Sequence, residues 1–382
     1  MLSIDFIGAE VLHANGFSYC PLSIAEGVVS PTLTGFPIDL SGFRILPGII
    51  DVHGDGFERH LAPRRGAMKQ LGEGLRATEA ELGANGITTA VLAQFVSWEG
   101  GLRGLEFADR VFSAIKEFGP ELVTDLHPQL RFETCLVDLY ESLPERVAQW
   151  GVRYVVFNDH LPHARLAKGL KPPRITGQAL KAGRNPDIHF QMMLDLHSRS
   201  DEVMKGLRPL CAALIADGVR LGSHDDYSTE IRDLWHERGA LIAEFPETSN
   251  AAKAAKVAGD SVVLGAPNLV RGRSHKGNIS ALELVLLGKC NALASDYHYP
   301  SPRRAALMLA QSGVLDFKEA WALVSSGPAD MLGLTDRGRL ASGLRADIVI
   351  LNVAGQVAAT FSGGRMSYMS GNIAERFMPI FR

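Results

Sequence analysis

The chain has 382 residues, with 46% hydrophobic residues, 21% charged residues and a formal net charge of −3. This composition is typical of a globular protein with one large or two smaller domains, and it excludes a mostly disordered chain. The slight acidity disfavours nucleic acid and anionic membrane surfaces as partners. The four cysteines are widely spaced, which argues against a disulfide framework and against a cysteine-rich zinc site.

The N-terminal segment does not have the basic start and apolar core of a signal peptide. The chain also lacks an uncharged apolar run of about 18 residues, the length that a membrane-spanning helix needs. We therefore expect a cytoplasmic protein.

The two ends of the chain are rich in short strand patterns. Glycines punctuate β-rich segments in residues 1–45, and similar segments recur from about residue 339 onward. Each end is too short to enclose a core alone. We therefore expect residues 1–45 and 336–382 to form one small β-sandwich domain together.

Residues 46–335 alternate between apolar strand-like runs and helical patterns. The eight runs are RILPGIIDV, GITTAVLAQF, QLRFETCLV, VRYVVFN, GVRLGS, LIAEF, SVVLGA and NALAS. Helical patterns between them include Met68–Leu82 and Phe190–Ala216. This alternation predicts an α/β catalytic domain with the (β/α)8 TIM-like barrel fold. A doubly wound sheet is the alternative, although no glycine-rich nucleotide fingerprint follows a strand.

Histidines and carboxylates recur at the ends of these runs. His53 and Asp55 follow the first run, and residues two apart in an extended chain point to the same side. Glu133 lies inside the third run, where a carboxylate is costly to bury without a partner. His160, His224 and Asp296 follow the fourth, fifth and eighth runs. Because the carboxyl ends of barrel strands converge, these groups predict a site for one or two Zn²⁺, Mn²⁺ or Fe²⁺ ions.

The same residues suggest hydrolytic chemistry. A metal can lower the pKa of a bound water to about 7, and Asp296 could take the proton of that water or act as a ligand only. Glu133 could bridge two cations. Asp225 and Asp226 either hold His224 in place, contact the substrate or form a solvated turn. Four further histidines are expected to be structural: His13, His189, His197 and His236.

Two basic segments could bind phosphate. The first, ERHLAPRR, contains Arg59, His60 and Arg64. The second, GAPNLVRGRSHKGN, contains Arg271, Arg273, Ser274 and His275. Glycines permit close backbone approach and arginines bind phosphate bidentately, although a solvated charge cluster is the alternative. Neither segment has the aromatic platforms typical of nucleic-acid binding.

At these motifs the chain resembles the amidohydrolase superfamily over nearly its whole length. ILPGIIDVHGD is similar to the first barrel strand and metal motif of that superfamily, and GPADMLGL with GRLASGLRADIVILN is similar to its return into the small β-domain. One branch, the PhnM-like hydrolases of phosphonate metabolism, is similar in a set of motifs that occur in the expected order: HGDGFERHLAPR, LRFET, NDH, SHDD, EFPETSNAAKAA, VVLGAPNLVRGRSHKGN and LASDY.

The resemblance implies hydrolysis of α-D-ribose 1-methylphosphonate 5-triphosphate with release of diphosphate. It implies metal ligation by His53, Asp55, Glu133, His160, His224 and Asp296, with Glu133 in the place of a carboxylated lysine. It implies phosphate contacts from Arg59, His60, Arg64, Arg271, Arg273, Ser274 and His275. The expected partner is a small phosphorylated substrate, and the chain could form a homo-oligomer.

The chain also departs from the motifs of the PhnM-like branch, so the resemblance does not fix the substrate. The first motif reads HGDGFERH rather than a sequence close to HTDNLEKH, the second run continues as AQFVSWEGGLRG, and Glu247 adds a charge to FPETS. Superfamily histidines usually follow the fifth and sixth strands, whereas here they follow the fourth and fifth runs. The alternatives are hydrolysis of an amide, cyclic amide or aminopurine-type substrate, which needs few phosphate-binding arginines, and a non-catalytic scaffold.

Overall fold

The computed structural model describes residues 3–62, 70–272 and 280–378. The strands in these ranges are β1 (Ile4–Ile7), β2 (Glu10–His13), β3 (Gly16–Ser18), β4 (Leu22–Ala25), β5 (Val28–Ser30), β6 (Phe36–Asp39), β7 (Arg44–Pro47), β8 (Ile49–Gly54), β9 (Ile87–Val96), β10 (Asp125–Glu133), β11 (Tyr154–Asn158), β12 (Arg220–His224), β13 (Ala240–Glu244), β14 (Ser261–Gly265), β15 (Ala292–Ala294), β16 (Ile348–Leu351), β17 (Val357–Ser362) and β18 (Arg365–Met369).

The α-helices are α1 (Glu58–Leu61), α2 (Leu71–Ala84), α3 (Leu105–Phe118), α4 (Leu143–Trp150), α5 (His163–Leu166), α6 (Ile175–Lys181), α7 (Pro186–Ser198), α8 (Ser200–Ala216), α9 (Thr229–Glu237), α10 (Ser249–Ala258), α11 (Ala266–Arg271), α12 (Ala281–Leu286), α13 (Ser301–Gln311), α14 (Phe317–Ala322), α15 (Ser326–Leu332) and α16 (Ile373–Phe377). None of these helices is both long and apolar enough to cross a lipid bilayer.

The two chain ends together form two small sheets. Their strand orders are β5-β4-β1-β6 and β18-β17-β16-β7-β2-β3, so N-terminal and C-terminal strands pair within the larger sheet. Residues from both ends share one buried core, which includes Phe6, Ile24, Ile348 and Phe361. The Phe6 and Phe361 rings lie 5.7 Å apart in an edge-on arrangement. The small β-domain predicted from the two ends is thus confirmed, while its boundaries near 45 and 336 stay a prediction.

Strands β8 to β15 follow one another in chain order in an eight-stranded sheet. Each of them overlaps one of the eight apolar runs of the sequence, so the predicted number of barrel strands is correct. The first run, RILPGIIDV, also contains β7 of the six-stranded sheet. The first and last strands are joined by a parallel bridge between Gly54 and Asp296. Together with the helices between the strands, this arrangement is the predicted (β/α)8 TIM-type barrel.

The described residues fall into two compact units. The first comprises residues 1–92, 118–127 and 263–382, and the second comprises residues 93–117 and 128–262. In the first unit, β8 pairs with β9 and β14 pairs with β15, each in parallel. In the second unit, β10, β11, β12 and β13 pair in succession, also in parallel.

One helix prediction needs correction. The pattern over Phe190–Ala216 predicts a single long helix, but the structure has α7 and α8 with a break at Arg199. The hydroxyl groups of Ser198 and Ser200 donate to the carbonyl oxygens of Asp195 and His197, at 2.7 Å each. Such local side-chain bonds compete with the helical ladder. The break therefore follows from the two serines that flank Arg199.

Candidate metal centre

In the first unit, the backbone brings three predicted ligands to one strand end. His53 is fully buried near the end of β8. The amide nitrogen of Asp296 donates to the carbonyl oxygen of His53, and the amide nitrogen of Asp55 donates to the carbonyl oxygen of Asp296, both at 2.9 Å. The first and last barrel strands therefore place these three residues side by side.

A buried carboxylate fixes the turn that carries Asp296. Asp51 is fully buried and accepts hydrogen bonds from the amide (2.8 Å) and hydroxyl (2.5 Å) groups of Ser295. Burial raises the pKa of Asp51, although the bonds from Ser295 oppose this effect. Asp296 itself adopts a left-handed conformation with φ of 55°, which non-glycine residues rarely adopt without support from their surroundings.

The carboxylate of Asp51 also explains why a glycine lies between His53 and Asp55. A Cβ atom at Gly54 would lie 2.7 Å from Oδ2 of Asp51 and 3.0 Å from the hydroxyl oxygen of Ser295. Any larger residue would therefore disrupt the bonds that position Asp296. The threonine of the branch pattern could not replace Gly54 here without a shift of these groups.

Arg59 and His60, predicted to contact phosphate, are both held by Glu81 of α2. Arg59 donates to Glu81 and, at 3.1 Å, to the carbonyl oxygen of Tyr297, while Nε2 of His60 lies 2.6 Å from Oε2 of Glu81. Burial acts to raise the pKa of Glu81, but the bonds from Arg59 and His60 outweigh it and lower that pKa. Through Arg59, helix α2 thus supports the turn after Asp296.

Arg271, the last residue of α11, lies over the aromatic ring of Tyr297 at 5.3 Å from its centroid. The structure therefore places Arg271 beside the residue that follows Asp296. The remaining predicted phosphate contacts lie outside the described residues: Arg64, Arg273, Ser274 and His275.

In the second unit, Glu133 and His160 form a close pair. Glu133 ends β10 and is fully buried, and His160 lies two residues after β11. Nδ1 of His160 lies 2.5 Å from Oε1 of Glu133, and the amide nitrogen of His160 donates to Oε2 at 3.0 Å. A histidine held by a carboxylate in this way presents its other nitrogen to a metal. A carboxylate also keeps further lone pairs for a metal.

His224 lies at the end of β12 with Asp225 beside it. Nδ1 of His224 is 3.2 Å from Oδ1 of Asp225, and the His224 ring is 6.2 Å from the His160 ring in an edge-on arrangement. One ligand atom from each of His160, His224 and Asp225 lies within 4.8 Å of the others. The nitrogen and carboxylate donors of this group suit a divalent cation such as Zn²⁺. The observed strand ends confirm that the two histidines follow the fourth and fifth strands.

Asp226 has a different environment from Asp225. It is buried and accepts from the hydroxyl group of Ser223 (2.7 Å) and from Arg232 (3.0 Å). Burial raises the pKa of Asp226, and the positive charge of Arg232 opposes this effect. Asp226 thus anchors the segment after His224 to α9. This agrees with a role in holding that segment in place and not with a solvated turn.

The sequence reasoning missed Glu244. It ends β13 as the register partner of His224 and is fully buried. One oxygen of Glu244 accepts from Tyr154 at 2.6 Å and from Gln129 at 2.9 Å. Burial, followed by the charge of Glu244, raises the pKa of Tyr154. The sequence feature that could have identified Glu244 is a carboxylate inside the apolar run LIAEF. The same feature identified Glu133 in its own run.

Arg131 was also missed, although it lies two residues before Glu133 on the same strand. It is 5% exposed, and one of its Nη atoms lies 2.9 Å from Nε2 of His224 and 3.2 Å from Oδ1 of Asn158. Its guanidinium also stacks on the Phe95 ring, 4.0 Å from the centroid. A permanently charged side chain is thus buried among the candidate ligands.

Comparisons with known proteins relate this chain to the amidohydrolases. The sequence profile of the amidohydrolase family matches residues 298–370. The α-D-ribose 1-methylphosphonate 5-triphosphate diphosphatase of Escherichia coli (strain K12) is 32% identical over 323 residues, covering 82% of this chain and 84% of that protein. Imidazolonepropionase of Deinococcus radiodurans is 33% identical over 178 residues, covering 43% of this chain and 44% of that protein.

Among solved structures, N-acetylglucosamine-6-phosphate deacetylase from Pasteurella multocida is similar with a TM-score of 0.62. The two sequences are 12% identical, and the match covers 96% of this chain and 99% of that chain. At this identity the likeness concerns the fold alone.

A TIM-type barrel with histidines and carboxylates at its strand ends, and with these sequence relatives, defines a metal-dependent hydrolase. The chain belongs to the amidohydrolase superfamily and, within it, to the PhnM-like family of the E. coli diphosphatase.

Proposed function

We propose that this protein hydrolyses α-D-ribose 1-methylphosphonate 5-triphosphate and releases diphosphate. The observation that carries this proposal is the match to the E. coli diphosphatase over most of both chains. The close pair of buried Glu133 and more exposed His160, at the ends of adjacent strands, supports a metal-dependent reaction. A small phosphorylated molecule is therefore the proposed partner, in the cytoplasm, and a homo-oligomer is the proposed assembly.

The proposed metal ligands are His53, Asp55, Glu133, His160, His224 and Asp296. They would hold one or two ions, for which we propose Zn²⁺, with Mn²⁺ or Fe²⁺ as alternatives. A bound divalent cation supplies an acidified water and neutralises charge on phosphoryl oxygens. The chemistry of the donors favours this role, because imidazole nitrogens and carboxylate oxygens suit these ions.

The residues of the chain would then direct a displacement at the α-phosphorus. The oxygen of a water molecule forms a bond to that phosphorus, and Asp296 takes a proton from the water. The bond between the α-phosphorus and the oxygen that leads to the β-phosphorus breaks, and its electron pair leaves with the diphosphate. The products are the 5-phosphate of the ribose phosphonate and diphosphate.

The proposed contacts to the triphosphate come from the two basic segments. They are Arg59, His60, Arg64, Arg271, Arg273, Ser274 and His275. Positive groups here would stabilise the negative charge that develops on the leaving diphosphate. The position of Arg271 over the Tyr297 ring, next to Asp296, supports its role as a phosphate contact.

A second candidate is hydrolysis of a cyclic amide on the same ligands. The partial match to imidazolonepropionase favours it, because an imidazolone ring contains an amide. The two candidates differ in their need for arginines, since only a triphosphate requires several positive groups.

A direct assay separates the two candidates. Purified protein is loaded with Zn²⁺ or Mn²⁺ and mixed with the ribose phosphonate triphosphate or with a panel of cyclic amides. We expect diphosphate release that EDTA abolishes, and no release by Asp296→Asn that still binds metal. Turnover of a cyclic amide without diphosphate release would contradict the proposal.

A further inference from the structure

Residues 97–104, which follow strand β9, form a loop that is closed by hydrogen bonds. The amide nitrogen of Ser97 donates to the carbonyl oxygen of Arg103 at 2.7 Å. The side-chain amide of buried Gln94 donates to the carbonyl oxygen of Leu102 at 2.9 Å. The loop is thus fixed both by its own backbone and by the strand before it. It belongs to the segment AQFVSWEGGLRG, in which the chain departs from the motifs of the PhnM-like branch.

This loop holds Arg103 on an aromatic ring beside the candidate metal centre. The guanidinium carbon of Arg103 lies 4.2 Å from the centroid of the Phe95 ring, and that of Arg131 lies 4.0 Å from the same centroid. A guanidinium over an aromatic face is held there by cation–π attraction. The Phe95 ring is itself 6.2 Å from the ring of His160, a proposed metal ligand. Phe95 therefore connects Arg103 to the site through two successive contacts.

Arg103 uses only one part of its guanidinium for contacts within the protein. Its Nη1 atom donates to a carboxylate oxygen of Glu99 at 2.7 Å. Within the described residues, Nε and Nη2 of Arg103 make no hydrogen bond, and the Arg103 side chain is 38% exposed. Arginine presents its N–H donors in a rigid fork that binds two oxygens of one phosphorus-centred anion together. The edge formed by Nε and Nη2 is therefore accessible to such an anion.

The charges around Arg103 favour one of the two anionic ends of the proposed substrate. The triphosphate carries several negative charges, and its proposed contacts lie in the two basic segments. The phosphonate carries a single negative charge, because one of its oxygens is esterified to the ribose. One guanidinium edge matches that charge, whereas the carboxylate of Glu99 would repel a more highly charged group. The phosphonate end therefore fits Arg103 better than the triphosphate end.

We propose that Arg103 binds the phosphonate group of the substrate through Nε and Nη2 and thereby determines specificity for a ribose that carries this group. This inference rests on the proposed function, because it names the residue that recognises one end of that substrate. Phe95 and Glu99 act as positioning residues, since they hold the guanidinium before the substrate binds. A side chain that is already fixed loses less conformational freedom on binding.

Two substrates that differ only at C1 of the ribose test this role. The metal-loaded full-length protein is assayed with ribose 1-methylphosphonate 5-triphosphate and with ribose 5-triphosphate, which has a hydroxyl group in place of the phosphonate. We expect wild type to prefer the first substrate. Arg103→Met should reduce the ratio of the two kcat/KM values about tenfold or more, chiefly through a higher KM for the first substrate.

Two further variants control for charge and for packing. Arg103→Lys keeps the charge but not the fork, so its preference should lie between those of wild type and Arg103→Met. Arg110→Met is the matched control, because Arg110 is exposed and also lies over a phenylalanine ring, that of Phe107 at 5.9 Å. It should keep the wild-type preference. A loss of the same size on both substrates in Arg103→Met would overturn the proposal, as would an unchanged preference.

Calorimetry separates failure of this proposal from failure of the proposed function. The probes are ribose 1-methylphosphonate 5-phosphate and ribose 5-phosphate, whose binding needs no turnover. If wild type does not hydrolyse the triphosphate but prefers the first probe, and Arg103→Met removes this preference, only the proposed hydrolysis is wrong. If wild type hydrolyses the triphosphate but Arg103→Met keeps the wild-type preference for the first probe, only the role of Arg103 is wrong. If wild type neither hydrolyses the triphosphate nor prefers the first probe, both proposals are wrong.

Discussion

Glu133 holds His160 with both of its carboxylate oxygens. Oε1 lies 2.5 Å from Nδ1 of the ring, and Oε2 accepts from the backbone amide at 3.0 Å. The ring orientation and the path of the chain after β11 are therefore set by one buried side chain. This places Glu133 at the centre of the site whether or not it also binds a metal.

Substitution of Glu133 by glutamine tests the role of this carboxylate in the site. A glutamine amide offers one acceptor oxygen in place of two and has no charge, so we expect metal affinity to fall by about 10- to 100-fold. Diphosphate release is expected to fall at least as much. Metal content by plasma mass spectrometry and turnover are measured beside the exposed control Glu141→Gln. Full metal content with near-normal turnover would remove the proposed role.

Arg271 is predicted to recognise the triphosphate. Its guanidinium lies over the Tyr297 ring beside Asp296, so Arg271→Ala should raise KM for the triphosphate about tenfold or more, with a smaller change in kcat. Uncharged amides should be affected little. The exposed Arg208→Ala serves as the matched control, with a side chain that is 72% exposed. An equal loss on charged and uncharged substrates would make Arg271 a structural residue.

Arg232 is predicted to stabilise the second unit. It is fully buried between Asp226 at 3.0 Å and Asp260 at 3.4 Å, and removal of one partner from a buried ion pair costs about 3–5 kcal/mol. Arg232→Met should lower the free energy of unfolding by about this amount in urea titrations. Arg208→Met, from the exposed pair with Glu237, should change it by less than about 1 kcal/mol. Similar effects of both variants would refute the prediction.

His163 is predicted to make stability depend on pH. Its hydrogen bond to Asp159 (3.0 Å) raises the pKa of His163, and Nδ1 lies 2.8 Å from Nδ1 of His197. Because the folded pKa lies above the unfolded value of about 6.5, the stabilisation is complete below pH 6.5. It is lost as the pH rises through the higher folded pKa.

The melting temperatures of wild type and His163→Gln measure this dependence. We expect the difference between the two proteins to be larger at pH 5.5 than at pH 8.5. His13→Gln, outside this cluster, should show no such trend. A difference that grows with pH would contradict the raised pKa.

Much of the fold could be predicted because barrel strands are buried on both faces. Such strands appear as apolar runs, and each of the eight runs contains residues of one barrel strand. Glu133 stood out for the same reason, as a charge within an apolar run. Glu244 carried the same signal in LIAEF, but only the charge of Glu247 in the neighbouring FPETS motif was noted.

Other features could not be predicted because they depend on contacts between distant segments. Arg131 gains its role from His224, 93 residues further along the chain. The pairing of Arg59 and His60 with Glu81 required the position of α2. The motif ERHLAPRR alone does not show that Arg59 and His60 also contact Glu81.

The site of bond cleavage tests the central claim most directly. The metal-loaded enzyme is allowed to hydrolyse the ribose phosphonate triphosphate in ¹⁸O-enriched water, and ³¹P NMR locates the label. Attack at the α-phosphorus predicts ¹⁸O in the 5-phosphate of the ribose product and none in the released diphosphate. Label in the diphosphate, or an unchanged triphosphate, would contradict the account.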